Sequence, residues 1–149
     1  MNIIRHAALL AASATLAFSA PALAQDEYPL VGGDWVEVSG IDIADGHSLD
    51  YANHLAGMWR KGQDFAKAQG WITDYEILAN VHPRKGEPDL YLMTRFPEFA
   101  DEAENQRRGK AYRAMMKATI ADMEKASGDR AEYRTLMSDM LLQELNWRK

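Results

Sequence analysis

The chain contains no cysteine, which excludes disulfide staples, thiolate nucleophiles and thiolate-bound metals and leaves any folded part to be held by its core alone. It also lacks a long apolar run. The best one, Ala7 to Phe18, is interrupted by Ser13 and Thr15 and falls well short of the ~20 apolar residues that a bilayer-crossing helix needs. No glycine-rich phosphate loop, no GxSxG and no HExxH occurs, which argues against nucleotide-dependent, serine-hydrolase and zincin chemistry. Basic residues are in deficit, with 17 Lys and Arg against 22 Asp and Glu. That balance, with no basic patch, disfavours nucleic acid and anionic membrane as partners, because both bind through basic surface.

The start of the chain has the parts of an export signal: Arg5, the apolar run, then Ala22-Leu23-Ala24 with small residues flanking a cut. Residues 1–24 are expected to be removed, so that the mature chain begins at Gln25 and is periplasmic or secreted, without stable membrane insertion. Loss of Arg5 makes it one unit more negative than the −5 of the whole chain. A flexible lead over 25–33, with Pro29 and Gly32-Gly33, is expected before a single domain over 34–149, long enough to bury a core without staples.

Within that domain Asp34 to Ile43 alternates around Trp35, Val36, Val38, Ile41 and Ile43 and reads as a strand. Turn chemistry at Ala44 to His47 leads to Ser48 as helix N-cap, and Leu55, Met58, Trp59, Gly62, Phe65 and Ala66 recur at helical spacing up to a stop at Gly70. Ile72 to His82 and Asp89 to Phe96 alternate again. The loop between them, rich in Pro and charge, predicts an antiparallel hairpin, closed by Pro97. A helical stripe over about Glu98 to Ala126 carries Tyr112, Met116, Ile120 and Met123, with Gly109 as a point of division. Arg130 to Met137 reads as a short helical turn, and Met140 to Trp147 as a closing strand.

The order strand, helix, strand, strand, helix, strand, with right-handed crossovers, predicts an α+β ferredoxin-like βαββαβ domain: a four-stranded antiparallel sheet with helices on one face. In this order and strand patterning the chain resembles the dimeric α/β-barrel superfamily over roughly Asp34 to Trp147. The resemblance implies a homodimer in which two sheets pack face to face across a two-fold axis, with ligands held in the barrel interior.

If Val36, Val38, Tyr75, Ile77, Leu90, Leu92 and Phe96 face the helices, the opposite face carries Trp35, Glu37, Glu76, Leu78, Asn80, His82, Tyr91, Met93 and Arg95. That mixture is too apolar for a simply solvated face and too charged for a closed core. It fits a dimer interface or a partly wet cavity for a small apolar or amphipathic molecule. The other reading is a cofactor-independent monooxygenase or isomerase in the same cavity, using His82, Tyr91, Glu37 or Arg95 to move a proton and steady an anion. Arg95 is expected to sit within reach of Glu37 or of an anionic ligand, with Glu37 favoured because the first and third strands should be neighbours.

The remaining features have plainer readings. His54, one turn after Asp50, suggests a helix-surface pair on an exposed face. Together with His47 it is not a ligand spacing, so no metal is expected. Haem-using members of the superfamily place a histidine on a cavity-facing helix, whereas the second helix here has none, so no cofactor is expected. The run Asp101 to Lys110 suits a solvated helix surface, and Met115, Met116, Met123, Met137 and Met140 suit adaptable core filling.

Overall fold

The computed structural model describes residues 28–149; the expected leader and its cleavage site lie outside the described residues. The chain folds as a four-stranded antiparallel sheet with helices packed against it. The strands are β1 (Leu30–Ile43), β2 (Asp74–Ala79), β3 (Leu90–Phe96) and β4 (Arg134–Trp147), laid out β2-β3-β1-β4. β1 is longer than its alternation predicts: Leu30 to Gly33 belong to the strand rather than to a lead, because Leu30, Val31 and Gly32 pair with Trp147, Asn146 and Leu145.

The first helical segment runs without a break through α1 (Ser48–His54), a π-helical turn (Leu55–Trp59) and α2 (Arg60–Ala68). His47, not Ser48, is the N-cap residue, and no side chain caps this end. The C-terminus is closed as the sequence implies. Gly70 takes φ +72°, and the amides of Gly70 and Trp71 bond back to Lys67 and Ala66, a Schellman arrangement that needs a left-handed residue at Gly70.

The second segment divides into α3 (Glu102–Met116) and α4 (Ile120–Ala131), but not at Gly109. The break falls at Lys117, which sits in the left-handed region at φ 54°. Thr119 then starts α4 through a reciprocal capping box with Asp122, which satisfies two otherwise unpaired amide donors. α4 extends through Arg130 to Ala131, and β4 begins at Arg134, several residues before the expected closing strand. Between Gly40–Ser138 and Ile41–Leu136 the β1–β4 register skips Met137, a bulge that bends β4.

The core is small and lies toward one end of the sheet. Ile41, Tyr51 and Leu55 are buried together, with Trp59, Leu90, Leu92 and Tyr133 packed around them. Gly62 holds α2 close to α3, since a Cβ there would meet the Tyr112 hydroxyl at 2.7 Å. β4 by contrast is an edge strand with apolar residues exposed on both faces, among them Leu136, Met140, Leu141, Leu142, Leu145 and Trp147.

Candidate functional site

Residues directly opposite in an antiparallel pair point to the same side, so the register assigns the faces. Ile41 pairs with Leu90, and both pack on the helices. The helix side therefore carries Trp35, Glu37 and Ser39 of β1, opposite Phe96, Thr94 and Leu92 of β3, together with Tyr75 and Ile77 of β2. The outer side carries Val36 and Val38, opposite Arg95 and Met93 on β3 and Leu142 and Met140 on β4, with Glu76 and Leu78 beside them on β2.

The expected site is thus split. Glu76, Tyr91 and Arg95 share the outer face, whereas Trp35 and Glu37 are on the helix side, where Trp35 packs on Phe99 at 5.1 Å. Asn80 lies just past β2 and donates to the Pro88 carbonyl at 3.0 Å, and His82 is exposed in the β2–β3 loop. The faces of β1 are the reverse of the expected ones: Val36 and Val38 point outward, and Trp35 and Ile41 point to the helices although Glu37 and Ser39 share their face. Val36 and Val38 are buried on the outer side by flanking side chains of β3 and β4 rather than by helices. His82, Tyr91, Glu37 and Arg95 do not converge within one chain, which takes away the support for a proton-transfer site built from them.

Arg95 does not pair with Glu37. Its partner is Glu144, whose carboxylate lies 3.1 Å from Nε, off the N–H axis, so the contact is an ion pair without a well-directed hydrogen bond. Glu37, on the far side, has its carboxyl pushed above the usual range by burial and then by Asp139. The recess beside Arg95, over Val36, Glu76 and Met93, holds only about 10 Å³. That is room for a single water and too little for an organic ligand. Leu78, Met140 and Leu142 lie on the same side of the sheet at 45%, 41% and 49% exposure.

A larger recess of about 140 Å³ lies on the helix side, between the π turn, α3 and α4. Met58, Trp59, Tyr112, Met116, Met123 and Arg130 line it, with His54 at its edge. His54 is not an exposed partner of Asp50. Asp50 accepts from His47 at 2.8 Å instead, and His54 is half-buried and stacked on Tyr51 at 5.8 Å. Burial, followed by the positive charges of Arg130 and Arg134, lowers its pKa to about 4.

The methionines pointed here only in hindsight. Met116 and Met123 read as core in one long helix, and the break at Lys117 is what turns them toward a shared gap. Among the described residues no three His, Asp or Glu side chains are grouped so as to hold a metal ion, and no helix is long and apolar enough to cross a membrane. Comparison with protein-family models, curated proteins and solved structures gave no match.

Proposed function

We propose that the chain is an exported, ferredoxin-like domain that works as a two-fold homodimer, closing the outer faces of two sheets into a barrel-like cavity for a small apolar or amphipathic molecule. The four-stranded antiparallel sheet, ordered β2-β3-β1-β4 with helices packed against it, supports the fold part of that reading. One observation carries the reading: Leu78, Met140 and Leu142 are exposed on the outer side of the sheet, with Met93 between them and Glu76 and the Arg95–Glu144 ion pair alongside. An apolar patch of that extent is rare on a monomer and marks an association surface. A copy of the same chain fits best. A two-fold axis repeats each apolar strand against its equivalent and sets an Arg95–Glu144 pair from each subunit at the cavity wall.

Export rests on the leader at residues 1–24, and the ligand class on the chemistry of the face: apolar side chains beside Glu76, Tyr91 and the Arg95–Glu144 pair favour a molecule with an apolar body and a polar end. Native mass spectrometry of the protein recovered from the periplasm is the test. A dimer carrying extra non-protein mass, with both features lost in Leu142→Arg, supports the proposal. A ligand-free monomer in the wild type refutes it.

A further inference from the structure

We infer that the helix-side recess is a second binding site, for a small organic carboxylate whose apolar body lies against Met58, Met116 and Met123 and whose charged end is held by Arg130.

Three observations on different residues meet here. The first is the recess itself. Its volume of about 140 Å³ is close to that of a dry apolar cavity of ~150 Å³, which takes a single benzene-sized ring. Its walls are three methionines with Trp59 and Tyr112, polarizable and adaptable surfaces suited to a ring or a short chain.

The second is charge without compensation. Arg130 Nε and Arg134 Nε are both buried and make no hydrogen bond among the described residues. Among the described residues no ion pair joins a carboxylate to either arginine, and Asp129 is engaged with Lys125 at 2.7 Å. A guanidinium dehydrated along one edge and unbalanced by a carboxylate is costly, and an anion seated against it offsets that cost. Arginine, with its planar fork of donors, also favours a carboxylate over a point anion.

The third is proximity. Arg130 and His54 both line the recess, and the charges of Arg130 and Arg134 both lower the pKa of His54. His54 is kept neutral at pH 7 by burial and by these two cations, so it does not add a third positive charge and is free to serve as a hydrogen-bond partner. Apolar walls, the Arg130 guanidinium and a neutral imidazole in the lining together select an amphipathic anion rather than a neutral molecule or an inorganic ion. This site is separate from the sheet-face cavity and does not depend on dimer formation.

The test follows methyl resonances of 13C-labelled methionine in the folded protein during titration with benzoate, with benzyl alcohol and inorganic phosphate as controls. Benzoate should move the Met58, Met116 and Met123 signals and bind about tenfold or more tighter than benzyl alcohol, the difference being the charged contact. The Arg130→Gln variant should erase that preference, and Ala126→Leu, which fills the recess, should weaken both compounds. The inference is overturned if benzoate binds no tighter than benzyl alcohol to the wild-type protein. It is equally overturned if phosphate binds as well as benzoate, or if the shifts appear at Met93 and Met140 on the sheet face instead. The wild-type comparison needs no variant, so a misfolded variant would leave the test intact.

Discussion

Arg95 reaches Glu144 across β1, over the side chain of Val36, at a distance of 3.1 Å. Both side chains are little more than one-third exposed in a single chain, so the value of the pair depends on what covers it. If a second sheet closes over it, removing one partner strands a charge, and Arg95→Leu should cost about 3–5 kcal/mol. The paired change Arg95→Leu with Glu144→Leu should restore most of that loss. Urea denaturation of the two single variants and the double variant measures the coupling. A loss below about 1 kcal/mol for Arg95→Leu would mark the pair as an ordinary surface contact.

Two glycines in helices should respond in opposite directions to the same change. Gly62→Ala places a methyl against the Tyr112 hydroxyl and ring, so it should lose about 1–2 kcal/mol despite the better helix propensity of alanine. Gly128→Ala in α4 meets nothing within 4 Å and should gain about 0.5–1 kcal/mol. Thermal melts of both variants check the pair, and a stabilising Gly62→Ala would show that α2 and α3 are not in close contact.

The depressed pKa of His54 gives a pH dependence with a definite sign. The unfolded chain binds the proton near pH 6.5 and the folded chain only near pH 4, so between these values protons favour unfolding. Stability from this residue is complete above about pH 6.5, falls as the pH drops toward 4 and then levels, a loss on the order of 1 kcal/mol once solvent screening is allowed for. His54→Gln should flatten the stability profile between pH 6.5 and 4 relative to wild type. Parallel profiles for the two proteins would place His54 in water.

Processing can be checked directly. The exported protein should begin at Gln25, read by intact mass, and a periplasmic form that keeps Met1 would contradict the leader reading.

Much of the fold is legible in the sequence because its strands alternate and its helices carry three- and four-residue spacing. Tyr75, Ile77, Leu90, Leu92 and Phe96 lie on the helix side as their alternation implies. β1 was legible only up to a choice of side. A period of two fixes which residues share a face, not which face meets the helices, and Val36 and Val38 read as more apolar than the face that Trp35 and Ile41 share with Glu37 and Ser39. That choice rests on the register with β3, which involves contacts between residues far apart in sequence.

The partner of Arg95 was hidden for the same reason. Glu144 becomes its neighbour only because β4 flanks β1 on the side opposite β3. The helix-side recess depends on Lys117, whose left-handed conformation divides the second helical region where no glycine or proline signals a break. Sequence spacing placed Met116 and Met123 on one stripe. The turn between them converts that stripe into two walls.

The central claim is that the apolar outer face of the sheet is covered by a second copy of the chain, and light scattering on the mature protein tests it most directly. Across about 1–100 µM, the range in which a stable interface remains formed, the account predicts twice the mass of the mature chain, and the chain mass alone for Leu142→Arg. A wild-type protein that scatters as a monomer throughout that range would contradict it.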